Sequence, residues 1–236
     1  MSTNLSRRPV GRTLAAAVVL VAAAACPAAV LRAQEPVSFA TPDDGLVSAD
    51  VYGSGLRAVV LAPGGRFDKA SWASQARMLA DAGFRVLALD FRGRGASRAG
   101  RAGADSLQLD VLGAVRWLRA TGASTVSLVG ASIGGWAAAE AVLAADPGEI
   151  DRAVLLAHAS IEHPERLGGR TLFLVSSGDT TAAGVPRLAA IRRQYERASG
   201  VKELVVVDGT AHAQFLFRTA EGDRVLREIV RFLSAP

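Results

Sequence analysis

Six short runs of almost continuous apolar residues, spaced between residues 58 and 207, are the feature that most restricts the fold. They span residues 58–62, 86–91, 125–129, 153–157, 172–176 and 204–207. A strand covered on one face alternates apolar and polar residues, whereas a strand covered on both faces is apolar throughout. The runs therefore predict a parallel sheet that is buried on both sides.

Stretches with helical periodicity separate these runs. They cover residues 71–82, 106–120, 135–145, 186–198 and 223–233. Before the first run, two alternating segments at residues 37–41 and 46–52 flank a Pro-Asp-Asp-Gly turn, which predicts an antiparallel hairpin. The whole pattern predicts one α/β domain over residues 34–236. We expect about eight strands in a mainly parallel sheet with an antiparallel start and helices on both faces.

The segment before residue 34 has the layout of a secretory signal. Residues 1–13 are polar and contain three arginines, and residues 14–26 form an unbroken apolar run. Cleavage after Ala33 would leave Gln34 first, whereas a lipoprotein signal would be cut before Cys26 and leave a lipid anchor. A transmembrane anchor is less favoured, because the run is mostly alanine and barely reaches the length of a membrane span. We expect an exported protein, in the periplasm, in the cell envelope or secreted, with the export route left open.

The basic character of the chain comes mainly from this leader. The formal net charge is +5, but residues 1–33 contain four arginines and no acidic residue, which leaves +1 for residues 34–236. A nucleic-acid partner is therefore not expected. Cys26 is the only cysteine, so a chain that begins at Gln34 has no disulfide.

Ser132 lies in the sequence Gly-Ala-Ser-Ile-Gly, where the run 125–129 ends and the helical stretch 135–145 begins. A strand, a sharp turn and a helix in this order form a nucleophile elbow, which exposes a serine at the edge of a sheet. Gly130 and Gly134 suit the strained, crowded turn that such an elbow requires. The sequence thus predicts that Ser132 is a nucleophile rather than a simple helix cap.

A serine nucleophile needs a base, and the chain contains only three histidines. His212 follows the last predicted strand, where a loop can bring its imidazole over the sheet edge toward Ser132. Asp179 follows the preceding strand and is predicted to orient the imidazole and stabilise its charged form. Asp208 is the alternative acid, although it sits close to the base in sequence.

An oxyanion formed on the substrate requires two hydrogen-bond donors. The backbone N–H of Ile133, directly after the nucleophile, is one. The second is expected from the Pro-Gly-Gly-Arg loop at residues 63–66, where glycines leave backbone amides accessible to a ligand. Gly65 is the predicted donor and Arg66 the alternative.

With nucleophile, acid and base in the order Ser132, Asp179, His212, the chain resembles the α/β-hydrolase superfamily over residues 57–236. It is most similar to small bacterial members of the dienelactone-hydrolase or carboxylesterase type, which carry a stretch like Asp-Phe-Arg-Gly-Arg-Gly-Ala-Ser at residues 90–97. The resemblance implies an α/β-hydrolase fold and a serine hydrolase without a cofactor.

Two departures from the family pattern are informative. Pro63 stands where these proteins commonly have a histidine before the oxyanion glycines, so the loop must be held in another way. Ser132 stands where dienelactone hydrolases use cysteine, which moves the expected chemistry toward ordinary esters.

The expected site is open. Only residues 158–169 separate the two strands between which many relatives insert a helical cap, which leaves no room for a lid. We therefore expect small or water-soluble ester substrates, with Arg66, Trp72 and Trp136 as substrate-contacting residues.

Four arginines crowd one loop near the predicted active edge. They are Arg92, Arg94, Arg98 and Arg101. A solvated loop in which they pair with Asp90 and Asp105 is the favoured interpretation. The alternative is that they attract an anionic substrate or a polymer of the envelope.

No metal or nucleotide site is expected. His158 and His163 are spaced like one half of a zinc site, but no thiolates accompany them. Neither histidine follows an acid in the chain order that a catalytic base would need.

The leading hypothesis is an exported serine hydrolase acting on carboxylic esters. Its alternatives are an amidase or peptidase with the same residues, and a catalytically silent binding protein; the oligomeric state is not predicted.

Overall fold

The computed structural model describes residue 1 and residues 34–236. The predicted leader, including Cys26 and the cleavage point after Ala33, lies outside the described residues. Among the residues described, none of the helices is both long and apolar enough to cross a membrane.

An eight-stranded sheet forms the centre of the described region. Its strands are β1 (Glu35–Ala40), β2 (Leu46–Tyr52), β3 (Arg57–Ala62), β4 (Arg85–Leu89), β5 (Thr125–Ala131), β6 (Arg152–Leu156), β7 (Arg170–Ser176) and β8 (Val201–Val207). Their spatial order is β1-β2-β4-β3-β5-β6-β7-β8. β1 and β2 pair antiparallel, β2 is antiparallel to β4, and all the other neighbours are parallel. The predicted fold class, with its antiparallel start and parallel remainder, is confirmed.

The predicted hairpin joins β1 to β2 in a register that places Phe39 opposite Val47. At its turn the Thr41 N–H donates to the Gly45 carbonyl at 3.0 Å, and Asp44 adopts a positive φ of 65°. Asparagine, aspartate and glycine tolerate this conformation best, which is why the Pro-Asp-Asp-Gly sequence can close the hairpin.

Five α-helices connect the strands in the described part of the chain. They are α1 (Ala73–Asp81), α2 (Leu107–Ala120), α3 (Ile133–Ala144), α4 (Arg187–Arg197) and α5 (Gly222–Ser234). Short 3₁₀ turns cover Lys69–Trp72, Pro164–Arg166 and Ala213–Arg218. The first predicted helix begins with the first of these turns, and α1 proper starts only at Ala73. The Asp68 side chain accepts from the backbone N–H of Ser71 at 3.0 Å and so caps the turn.

The six parallel strands β3 to β8 all end at one edge of the sheet, and the loops at that edge lie close together. Between β6 and β7 the chain forms only the 3₁₀ turn Pro164–Arg166. No helical cap therefore intervenes between these strands, and the edge is open there.

Candidate active site

Ser132 occupies a strained turn between β5 and α3. Its φ is 56° and its ψ −116°, a conformation that L-residues rarely adopt. The turn is crowded, because a Cβ on Gly130 would lie 2.2 Å from the Gly134 carbonyl oxygen. A Cβ on Gly134 would lie 2.4 Å from the Ala62 carbonyl oxygen at the end of β3. The two glycines are thus required for the helix to begin directly after the serine, and α3 starts at Ile133, two residues before its predicted start.

The loop after β8 brings His212 to Ser132. His212 Nε2 lies 2.9 Å from Ser132 Oγ, and His212 Nδ1 lies 2.8 Å from Asp179 Oδ2. In the neutral tautomer with the proton on Nδ1, the imidazole donates to Asp179 and accepts from the serine hydroxyl. Ser132, His212 and Asp179 therefore form one hydrogen-bonded triad, although they are distant in sequence. Asp208 is exposed and takes no part in it.

Asp179 is buried at the carboxyl end of β7. Its Oδ1 has no hydrogen-bond partner among the described residues and lies 3.6 Å from Arg187 Nε. The backbone N–H of Arg187 donates to the backbone carbonyl of Asp179 at 2.9 Å, which fixes the start of α4 beside the acid. A guanidinium on one side and an imidazole on the other offset the cost of burying an ionised carboxylate.

The loop after β3 lies beside the nucleophile. The Gly64 N–H donates to Gln214 Oε1 at 2.7 Å, and the Gly64 carbonyl accepts from the Phe67 N–H at 2.9 Å. Within residues 34–236, the N–H groups of Gly65, Arg66 and Ile133 donate to no protein acceptor. A Cβ on Gly65 would lie 3.5 Å from Ile133 Cγ2, so these two backbone segments adjoin. Unpaired amides at this point can donate to an oxyanion.

Two cavities share Ile133 in their walls. The first has a volume of about 270 Å³ and is lined by Gly64, Gly65, Arg66, Phe67, Ser132, Ile133, His212, Ala213 and Phe215. The second has a volume of about 340 Å³ and is lined by Asp105, Leu107, Ile133, Trp136, Ala159 and Ser160. Arg66 and Trp136, both predicted as substrate contacts, thus line different cavities, of which only the first is also lined by Ser132.

Trp72 does not reach either cavity. Its side chain is 1% exposed and packs edge-on against Phe217, with ring centroids 5.7 Å apart. The structure therefore corrects its assignment as a wall residue: the turn that carries it ends in the core rather than at the sheet edge. The aromatic wall of the first cavity is instead the pair Phe67 and Phe215, whose ring centroids are 5.1 Å apart.

The arginine-rich loop is paired differently from the prediction. Arg92 is buried and binds Asp43 at 3.0 Å and Asp110 at 2.8 Å. The Asp90 carboxylate instead accepts a hydrogen bond from the backbone N–H of Lys69 at 2.8 Å. The proposed pairing with Asp90 and Asp105 is wrong for Arg92, because its carboxylate partners come from the hairpin turn and from α2.

Two other arginines of that loop have distinct partners. Arg94 donates to the Gly65 carbonyl at 2.6 Å, and Arg101 forms an exposed ion pair with Asp44. Arg94 therefore connects the arginine-rich loop to the oxyanion loop, a link that the sequence analysis did not predict.

The remaining histidines take no part in the site. His158 is buried under α3, where a Cβ on Gly135 would lie 2.8 Å from the His158 Cβ. His163 is exposed, with Nδ1 3.2 Å from Glu165. Across the described residues, no group of three or more histidine, cysteine, aspartate or glutamate side chains is arranged to hold a metal ion.

Sequence reasoning missed Gln214, Phe67 and Phe215. Gln214 and Phe215 lie in the 3₁₀ turn just after His212, and Phe67 follows the Pro-Gly-Gly-Arg loop. The available signal was proximity in sequence to predicted site residues, but it did not indicate which of these side chains point inward.

A family model described as the alpha/beta hydrolase fold matches residues 57–192, which is more than half of the chain. The chain belongs to the α/β-hydrolase fold family. A comparison with curated protein sequences finds no match.

Solved structures of other α/β hydrolases are similar over most of the domain. A predicted CIB-like hydrolase from Thermoplasma acidophilum has 22% identity and a TM-score of 0.70, covering 86% of this chain and 98% of that one. An esterase from Pyrococcus furiosus has 18% identity and a TM-score of 0.69, covering 86% and 94%. A dienelactone hydrolase from Anabaena variabilis has 20% identity and a TM-score of 0.68, covering 86% and 97%. At these identities the likeness concerns the fold.

Proposed function

We propose that the protein is an exported serine hydrolase that cleaves carboxylic esters of small or water-soluble substrates through an acyl-enzyme on Ser132. The proposal rests on the hydrogen-bonded triad, in which His212 contacts both Ser132 Oγ, at 2.9 Å, and Asp179 Oδ2, at 2.8 Å. Export is proposed from the leader-like sequence before residue 34.

The proposed reaction uses these groups in turn. Ser132 Oγ attacks the ester carbonyl carbon while His212 Nε2 takes the hydroxyl proton, and the Asp179 carboxylate stabilises the imidazolium that forms. The N–H groups of Ile133 and Gly65 donate to the oxyanion. His212 then gives the proton to the leaving alcohol and afterwards activates the water that releases the acid.

The two cavities suggest which side of the ester lies where. The first cavity contains His212 and the rings of Phe67 and Phe215. It suits the leaving alcohol, because that is the group His212 protonates. The second cavity, beside Trp136, then takes the acyl group. Without a helical cap between β6 and β7, a long acyl chain would stay in water, so short acyl groups are preferred.

Covalent labelling tests the nucleophile. A fluorophosphonate probe should label the wild-type protein, and Ser132→Ala should remove the label and lower turnover of an acetyl ester by about 10⁴- to 10⁶-fold. Ser124→Ala is the control, because Ser124 is exposed just before β5, at the opposite end of the strand that leads to Ser132. An unlabelled wild-type protein, or a label that survives Ser132→Ala, would overturn the proposal in favour of a binding role or another nucleophile.

Two further measurements define the substrate. Acetyl and butyryl esters should be cleaved faster than esters of twelve carbons or more, and each ester faster than its matched amide. A preference for long chains would contradict the open site, and a preference for the amide would make the protein an amidase.

Mass analysis of the exported protein tests the cleavage point. It should give a first residue of Gln34; a lipidated Cys26 would show a lipoprotein instead.

A further inference from the structure

Gln214 connects the loop that carries the proposed base with the loop that carries the proposed oxyanion donor. Its side chain is 5% exposed. The carboxamide oxygen accepts from the Gly64 N–H at 2.7 Å, and the carboxamide nitrogen donates to Ser71 Oγ at 2.9 Å. Ser71 Oγ in turn donates to the Asp68 carbonyl at 2.5 Å. Both ends of a buried carboxamide are thus used, and losing them would leave buried polar groups unpaired.

These contacts determine where the next amide points. A trans peptide places its carbonyl and its N–H on opposite sides, so the Gly64 carbonyl and the Gly65 N–H point in opposite directions. The Phe67 N–H holds the Gly64 carbonyl at 2.9 Å, while Gln214 holds the Gly64 N–H. With the peptide groups on both sides of Gly64 fixed, the Gly65 N–H has a defined direction and remains free to donate to an oxyanion.

The same chain segment also fixes the base. His212 and Gln214 are separated only by Ala213, which is buried and has a positive φ of 50°. This unusual conformation for alanine lets the neighbouring side chains diverge. His212 contacts Ser132, whereas Gln214 contacts Gly64.

We propose that Gln214 is a positioning residue that fixes the oxyanion loop relative to His212, so that the Gly65 N–H points at the substrate oxygen that becomes the oxyanion when Ser132 attacks. The inference rests on the proposed ester hydrolysis and adds a residue to it. Gln214 touches neither substrate nor reacting atoms in this role; it acts through Gly64.

Gln214→Met tests the role, because methionine keeps the length of the side chain and removes both hydrogen bonds. We expect kcat for an acetyl ester to fall about 10- to 100-fold, less than or equal to the loss of an entire oxyanion donor, while KM stays within about threefold. Binding of a trifluoromethyl ketone, whose adduct with the serine carries an oxyanion, should weaken by the same factor as kcat/KM.

Gln194→Met is the matched control. Gln194 is 7% exposed, and its carboxamide oxygen accepts from the Ile161 N–H at 2.7 Å, so it makes the same kind of contact away from the oxyanion loop. We expect this variant to lose stability in urea unfolding without a change in kcat. Ser71→Ala should lower kcat in the same direction but less, since Gln214 keeps Gly64, and it should add little to Gln214→Met because the two side chains act as one unit.

Each outcome bears on a separate claim. A wild-type protein that is neither labelled nor active would remove the proposed function itself. If the wild type is active, the positioning role is overturned by a Gln214→Met variant with unchanged kcat. It is also overturned by a rise in KM alone, by unchanged affinity for the ketone, or by an equal loss of kcat in Gln194→Met.

Discussion

At the scale of single residues, the clearest feature is backbone strain at the proposed nucleophile. Ser132 has φ 56° and ψ −116°, a region that is comfortable only for glycine. Strain of this kind opposes folding and persists because the packing of β5 and α3 determines the turn. The residue that matters most for the proposed chemistry is therefore expected to lower the stability of the fold.

Replacing Ser132 separates strain from chemistry. Ser132→Gly and Ser132→Ala should both be inactive, but Ser132→Gly should be the more stable of the two by about 1 kcal/mol, because only glycine relieves the strained φ and ψ. Urea unfolding at neutral pH measures the difference. Equal stability of the two variants would mean that the turn is not strained.

A buried histidine outside the site should make stability depend on pH. Burial, reinforced by the charge of Arg187, lowers the pKa of His158 to about 4. In the unfolded chain this imidazole binds a proton below pH 6.5, whereas in the folded protein it stays neutral down to about pH 4. Its contribution to stability is therefore complete above pH 6.5 and is lost as the pH falls toward 4, by up to about 3 kcal/mol.

His158→Phe tests this assignment, because it replaces the imidazole by an apolar ring beside Phe173. The free energy of unfolding of the variant should fall less steeply between pH 6.5 and 4 than that of the wild type. His163→Phe is the control, because it makes the same substitution at an exposed position. Parallel slopes for wild type and His158→Phe would show that His158 does not titrate in this way.

At the scale of elements, the approach of α3 to the end of β3 builds the site. A Cβ on Gly134 would lie 2.4 Å from the Ala62 carbonyl oxygen and 2.5 Å from that of Pro63. Pro63 leads into the loop that carries Gly65, so the position of the helix also sets the position of that loop. The backbone fixes the position of the Cβ and of both carbonyl oxygens, so a rotamer change cannot relieve the clash.

Gly134→Ala should therefore reverse the usual effect of such a change. Alanine normally stabilises a helix over glycine by about 1 kcal/mol, but here we expect a loss of about 2 kcal/mol or more, together with a fall in esterase activity. Gly168→Ala is the control, because a Cβ there meets no atom within 4 Å and should change little. Thermal unfolding and an acetyl-ester assay measure both; a stabilised, fully active Gly134→Ala would contradict the close approach.

At the scale of the whole molecule, Arg92 joins three separate parts of the chain. Its guanidinium binds Asp43 in the β1–β2 turn, the Gly103 carbonyl and Asp110 in the first turn of α2. The hydrogen bonds from Arg92 hold the pKa of Asp43 far below its usual range. The contribution of the ionised Asp43 side chain to the stability of the fold is thus present above about pH 4 and is lost as the pH falls below that value.

Arg92→Met should destabilise the protein by about 3–5 kcal/mol, because it leaves two buried carboxylates without a counter-charge. Arg101→Met is the matched control: Arg101 belongs to the same loop, but its ion pair with Asp44 is exposed, and its loss should change stability by less than about 1 kcal/mol. Urea unfolding at pH 7 measures both. Similar effects of the two substitutions would mean that burial does not distinguish the pairs.

Local patterns explain why much of the fold was predictable. The continuous apolar runs identified β3 to β7 because burial on both faces leaves little room for polar residues, whereas β8 is a half-exposed edge strand that was identified by its apolar residues alone. The Pro-Asp-Asp-Gly turn identified the hairpin through backbone preferences that act within four residues. The partners of Arg92 were mispredicted because charge pairing depends on which segments meet, and the nearest acids in sequence were not the nearest in space. Trp72 was misplaced because its burial against Phe217 depends on how distant segments pack.

The sequence by itself determined the order of elements, the strand-turn-helix setting of Ser132, and the short list of histidines and acids from which a base and its partner could come. These features depend on periodicity and on local backbone geometry. Only the tertiary structure decided that His212 and Asp179 meet Ser132, that Trp72 is in the core, and that Gln214 holds Gly64. Such contacts join residues up to 150 positions apart, so they arise from how helices and strands pack together, which no local pattern encodes.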